Sequence, residues 1–242
     1  MAQVVRRSVK PPLDYGPELV DQVRFVIAIA WFPLILTSFA LSFGPAGIQA
    51  SGFLGLFGAL DRLGAAYNLI VVREFAPLVT AIVIAGVAGT AITADLGARV
   101  TREETSALDV LGVDPIKALV VPRLLALVFV SILFNIFALW AGLLGAVVVV
   151  AQNDAALGPF FASFFANATA LELGASFVKV AVYGIVIATV CCYQGMNASG
   201  GPEGVGRAVN RAVVIAFLCI GAIDYVFTQL LLATNPILSQ TR

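Results

Sequence analysis

The chain has 242 residues, 60% hydrophobic and 12% charged, with a mean hydropathy of +1.00, where soluble domains carry about a quarter charged residues. Fourteen basic residues balance fourteen acidic ones and histidine is absent, so there is no net field to attract nucleic acid. Such a chain is an all-α integral membrane protein, and one helical bundle of 1–242 leaves no polar stretch for a soluble domain, which assigns any energy-coupling domain to another chain.

Residues 1–22, with Arg6, Arg7, Lys10 and the Pro11-Pro12 break, read as an interfacial helix on the membrane surface. A cleaved signal peptide does not fit, because the first apolar run begins only at Phe25 and is long enough to span. About 20 apolar residues cross the hydrocarbon core, and five runs qualify: 25–43, 75–94, 124–151, 180–198 and 212–233, the last broken by Asp224. Residues 44–60, rich in Gly and Phe, are either a re-entrant segment or, as preferred here, an extension of span one before a turn near Asp61. The 152–172 connection holds FFASFF and no basic residue, which suits an external, partly membrane-lying loop.

In span two Ala81, Ala85, Gly89 and Thr93 recur every four residues beside Gly86, a strip of small side chains for close helix packing. Ala138, Gly142 and Ala146 repeat it in span three. Next comes a short charged helix, placed over 101–112. Thr101 and Glu104 fit a capping box, Gly112 fits a left-handed C-terminal position, and Pro115 forbids continuation. Ala107, Leu108 and Leu111 make a narrow apolar face, while Arg102, Glu103, Ser106 and Asp109 face water or a partner. Two readings stay open for it: a solvated connection, or a docking helix that transmits motion from a soluble partner. The glycine-rich 200–206 segment lacks the G-x-x-x-x-G-K-[ST] pattern of a phosphate loop and reads as a tight turn before span five. Cys191, Cys192 and Cys219 lie in apolar runs and read as small core residues. No catalytic residue or metal set stands out.

With the N-terminus inside, the inner segments hold Arg6, Arg7, Lys10, Arg24, Arg99, Arg102, Lys117, Arg123, Arg207 and Arg211, and the outer ones only Arg62, Arg73, Lys179 and Arg242. That asymmetry predicts a cytoplasmic N-terminus, an external C-terminus and a cytoplasmic short helix. Asp224, deep in span five, must be paired or face the bundle. Asn135 or Tyr193 is its expected hydrogen-bond partner, with a proton or substrate role as the alternative.

The block from Arg73-Glu74 through Ala94-Asp95-Leu96-Gly97, Thr101 to Glu104, Gly112-Val113-Asp114-Pro115 and Pro122-Arg123 resembles the MlaE/YrbE permeases of ABC-type lipid transporters. Tyr193 to Val214, YQGMNASGGPEGVGRAVNRAVV, is similar to the actinobacterial Mce-associated YrbE subunits. The resemblance implies five transmembrane helices behind an N-terminal interfacial helix, with a cytoplasmic coupling helix between spans two and three. It also implies a second YrbE-type permease subunit, cytoplasmic ATPases that carry the ATP and Mg, and Mce substrate-binding proteins on the outer face. No cofactor is expected on this chain. Cargo would be fatty or mycolic acids, sterols or phospholipids, moved inward across the cell membrane.

By the same resemblance, Arg73 and Glu74 form an ion pair beside a lipid pocket lined by Phe53, Leu56 and Phe57. Thr101, Arg102, Glu103, Glu104, Ala107, Leu108, Asp109 and Leu111 meet the ATPase. Val87 stands where the family carries an arginine, a charge that a non-identical partner would supply. The alternative to an ATP-driven permease is a secondary transporter or channel subunit for a small hydrophobic solute. A secondary transporter would need an inverted repeat around a midplane ion site, which five spans do not divide into.

Overall fold

The computed structural model describes residues 16–234, and among these every regular element is helical. Five helices are long and apolar enough to cross a membrane: Gly16–Leu56, Leu60–Thr101, Ile116–Gln152, Ala170–Met196 and Gly201–Thr234. The chain is thus an all-α, multi-pass membrane protein. Each helix outruns its apolar window because the charges bounding that window do not end it. Arg73 and Glu74, for instance, lie inside the second helix with their charges met by Glu172 and Lys179.

The expected surface leader lies outside the described residues up to position 15, and 16–22 are the opening turns of span one, without a break before Leu41. Span one continues as a π-helical stretch, Ser42–Ile48, and then as α-helix to Leu56. The extension reading of 44–60 therefore holds in place of a re-entrant loop. Gly58 turns the chain at φ +65°. The glycine-rich 200–206 segment is not a turn: after Gly200 at φ +90° and Gly201 at φ +68°, these residues form the first turns of span five. Gly200 accepts the first such backbone bond from Gly204, so only Asn197 to Gly200 remain for the connection.

Two compact units share the chain. Within the described residues the first comprises 16–31, 81–131 and 181–222, and the second 32–80, 132–180 and 223–234. In the first, the small-residue strip of span two packs on span four. A Cβ on Gly89 would stand 2.7 Å from Cys191 Sγ, and Thr93 Oγ1 donates to the Cys191 carbonyl at 3.2 Å. The strip is a seam within the unit, as close backbone approach demands. Cys191 and Cys192 are buried there as free thiols.

In the second unit, Tyr67, Val71, Ala146, Val149, Val150 and Phe160 form the core. The 152–172 connection is itself helical over Leu157–Asn167. It lies so close to Gly64 that a Cβ there would sit 2.0 Å from the Phe160 carbonyl oxygen. The Tyr67 and Phe160 rings meet edge to face at 5.8 Å, the favoured aromatic geometry. Tyr67 donates to the Ser42 carbonyl at 3.0 Å, and Ser42 to the Gly142 carbonyl at 2.6 Å, so the polar groups of this core are hydrogen-bonded.

Candidate functional site

Besides the exposed Asp61 and Arg62, the second unit carries five charged side chains, all partly or fully buried, within its membrane-spanning helices. Residues Asn68–Phe75 are π-helical, and the wider turn stacks residues five apart. Asn68 and Arg73 accordingly reach the same carboxylate: Arg73 Nη2 lies 2.5 Å from Glu172 Oε1 and Asn68 Nδ2 lies 2.9 Å from Oε2. Glu74 points elsewhere. Lys179, with 2% of its side chain exposed, places Nζ 2.8 Å from Glu74 Oε2 and 2.7 Å from Asp224 Oδ1. Thr228 Oγ1 donates to Glu74 Oε1 at 3.0 Å.

Arg73 and Glu74 are therefore not a pair with each other. Each belongs to a separate cluster, one with Glu172 and one with Lys179 and Asp224. Asp224 is held by Lys179, while Asn135 donates to Ser176 at 3.0 Å. An ammonium outcompetes a neutral amide for a carboxylate in a low-dielectric site, which explains why the expected Asp224–Asn135 bond does not form.

The balance of charge and exposure is uneven. Both cations are sequestered, Arg73 at 12% and Lys179 at 2% side-chain exposure, whereas Glu74 and Asp224 remain 29% and 23% exposed. An apolar cavity of about 160 Å³ opens in the same unit, lined by Tyr67, Val72, Leu139, Trp140, Phe164 and Leu173 among others. Val72 and Leu173 adjoin Arg73 and Glu172 in sequence. Phe53, Leu56 and Phe57 do not line it; they stand 63%, 84% and 71% exposed at the end of span one, while Ala50 and Leu54 of the same helix pack on the core.

In the first unit the short helix after span two covers Glu104–Val110 rather than 101–112. The expected capping box does not form. Thr101 is the last residue of the span-two helix and its hydroxyl donates to the Gly97 carbonyl. Glu103 turns the chain in the left-handed region at φ 61°, and the Glu104 carboxylate is taken by Arg102 at 2.8 Å. The far end matches expectation. Gly112 at φ +75° donates to Asp109 O and Val113 to Leu108 O, the paired bonds of a Schellman motif. Val110 and Leu111 are 87% and 75% exposed. A groove of about 920 Å³ runs beside the helix, with Ala107, Leu108 and Leu111 in its lining and Glu18, Arg99 and Lys117 among its charged groups.

A family profile described as Permease MlaE matches residues 19–230. The chain belongs to the MlaE permease family. It is 34% identical over 174 residues to a probable ABC transporter permease protein of Synechocystis, covering 72% of this chain and 66% of that one. It is 29% identical over 229 residues to the intermembrane phospholipid transport system permease protein MlaE of Haemophilus influenzae, covering 92% and 86%. The chloroplastic protein trigalactosyldiacylglycerol 1 of Arabidopsis thaliana is 31% identical over 176 residues, covering 71% and 49%. The match over 19–230 takes in both charge clusters and the short helix.

Sequence reasoning missed Lys179, Glu172 and Arg123. A signal was present for the first two. Glu172, Ser176 and Lys179 fall at helical spacing on one face of an apolar run, and a charged residue in a span is a functional candidate by default. Lys179 was counted instead as a flanking charge.

Proposed function

We propose that this MlaE-family permease is the membrane subunit of an ATP-driven lipid transporter, energised by a separate ATPase that seats on the Glu104–Val110 helix from the cytoplasm. The observation that carries the reading is that helix itself. It is capped, charged, set beside a groove, and it presents Val110 and Leu111 to solvent, an arrangement that suits an absent partner better than a plain connection. Thr101, Arg102, Glu103, Glu104, Ala107, Leu108, Asp109 and Leu111 are the contact residues. The N-terminus is then cytoplasmic and the C-terminus external. The similarity of Tyr193 to Val214 to actinobacterial YrbE chains supports a second YrbE-type permease, with Mce proteins on the outer face and import as the direction. Val87, in place of the family arginine, suits a non-identical partner.

Phospholipid is the cargo class we favour, since the Haemophilus influenzae relative is named for intermembrane phospholipid transport. The half-buried Glu74 and Asp224, two carboxylates around one lysine, suit a headgroup that carries an amine better than they suit a free fatty or mycolic acid, whose own carboxylate they would repel. Acyl chains would lie along apolar surfaces such as those of Phe53, Leu56 and Phe57.

Two measurements on the assembled complex test this. Replacing Glu103 and Asp109 with lysine abolishes co-purification or stimulation of the ATPase, and unchanged assembly would remove the coupling assignment. Mass spectrometry of bound lipid shows loss when Arg73 and Glu74 are both made alanine; equal lipid in wild type and variant would place the pocket elsewhere.

A further inference from the structure

The first unit holds a second set of ion pairs, which shares only Glu104 with the ATPase contact and nothing with the lipid site. Asp95 and Arg99 lie one turn apart near the end of span two, with Arg99 Nε 3.2 Å from Asp95 Oδ2. Arg99 Nη1 also lies 3.7 Å from Glu104 Oε2, on the short helix. From span three, Arg123 places Nη2 2.5 Å from the same Asp95 Oδ2. Its Nη1 donates to the Leu119 carbonyl at 2.6 Å, and Glu18 of span one stands 3.9 Å away. The groups form one chain across four elements: Glu104, Arg99, Asp95, Arg123 and Glu18.

Two features separate this chain from an ordinary surface network. Arg123 is 1% exposed although Asp95, Glu104 and Glu18 are each about two-fifths exposed, so a buried guanidinium depends on a carboxylate that solvent can reach. Its Nε is buried without an acceptor. A buried ion pair is a weak device for stability, since apolar replacements are often equally stable, but its geometry fixes the register of the elements it joins.

Arg99, meanwhile, is shared unequally, close to Asp95 and loosely held by Glu104. With Arg99 on Asp95, as here, that carboxylate is divided between two arginines. A second arrangement would draw Arg99 onto Glu104 Oε2, whose other oxygen Arg102 already holds at 2.8 Å, and leave Asp95 wholly to Arg123. An element with two discrete states that two sites can both bias is what coupling between distant sites requires.

We infer that Arg99 is a positioning residue that passes displacement of the Glu104–Val110 helix to span three by exchanging partners between Glu104 and Asp95, with buried Arg123 as the receiving group. The inference rests on reading that helix as the ATPase contact. Its distinctive consequence is that losing Arg99 separates ATP hydrolysis from lipid movement without loosening the complex.

The test uses the intact permease–ATPase complex in phospholipid vesicles, with hydrolysis and transfer of a fluorescent phospholipid measured on the same sample. Arg99→Gln is expected to keep hydrolysis within about twofold of wild type while lipid moved per ATP falls about tenfold, and Arg99→Lys, which keeps the charge but loses the fork, lies between. Because Arg123→Ala risks misfolding, Asp95→Asn is the second arm, with co-purification of the ATPase as the check on assembly: it removes the carboxylate that Arg99 and Arg123 share. A fall in lipid moved per ATP like that of Arg99→Gln supports the relay, and unchanged lipid per ATP overturns it. A parallel fall of both rates in Arg99→Gln at constant lipid per ATP, or no change in either, overturns it. If the wild-type complex itself neither hydrolyses ATP nor moves lipid, the transporter reading fails instead, so the two failures are distinct.

Discussion

Removing the ammonium of Lys179 gives the sharpest test of how the charged residues of the second unit are held. Lys179→Met preserves chain length and apolar volume but takes from Glu74 and Asp224 the ammonium they now share at 2.8 and 2.7 Å, leaving two carboxylates close together. Breaking a buried pair by deleting one partner costs about 3–5 kcal/mol. The carboxylates are 29% and 23% exposed, and solvent screening brings the figure toward the lower end, about 3 kcal/mol. At roughly 2–4 °C per kcal/mol for a chain of this size, the midpoint falls by about 6–12 °C.

The decisive comparison is the triple variant that adds Glu74→Gln and Asp224→Asn. It removes every charge of the cluster, and replacing a whole buried ionic group by neutral residues is often free of cost, so stability returns to within about 1 kcal/mol of wild type. Thermal unfolding in detergent, followed by the fluorescence of the two tryptophans, reads both. A triple variant less stable than Lys179→Met, or a single variant that melts with wild type, would refute the claim that the lysine is there to neutralise the carboxylates.

Gly64→Ala drives a methyl group to 2.0 Å from the Phe160 carbonyl oxygen, so the Leu157–Asn167 helix must shift, at about 1–3 kcal/mol of overpacking; Gly174→Ala, with nothing within 4 Å of its added Cβ, is the control that melts unchanged. Around the short helix two substitutions act with opposite sign. Glu103→Gly relieves a left-handed residue at φ 61° and Gly112→Ala creates one at φ +75°, so the first raises and the second lowers stability, each by about 1 kcal/mol. Denaturant or thermal midpoints check both, and a shared sign would remove the strain argument.

The spans and the stop of the short helix were readable because their causes are local. Twenty apolar residues need the bilayer whatever surrounds them, and Gly112 with Pro115 ends a helix by backbone sterics alone. The start of that helix was misread for an equally physical reason. Thr101 and Glu104 have the spacing of a capping box, but Thr101 still lies within the span-two helix, where a threonine hydroxyl bonds back four residues to Gly97, and Arg102 claims the Glu104 carboxylate. The partner of Glu74 was unreadable because it lies 105 residues away on another helix. Adjacent charges such as Arg73 and Glu74 look like a pair in a linear string, yet successive helical residues do not face each other.

That correction bears on the proposed orientation. The asymmetry of lysine and arginine places the N-terminus inside by setting ten basic residues against four. The rule counts lysines and arginines in the loops that flank the spans, however, and two of the four outer ones, Arg73 and Lys179, lie inside membrane-spanning helices with 12% and 2% of their side chains exposed. Among the described residues that leaves Arg62 on the outer side, while on the inner side Arg123 alone is similarly buried and Arg99, Arg102 and Arg207 keep 35%, 62% and 52% of their side chains exposed. Counting solvated rather than written charges thus widens the asymmetry, and supports placing the Glu104–Val110 helix in the cytoplasm, where an ATPase would find it.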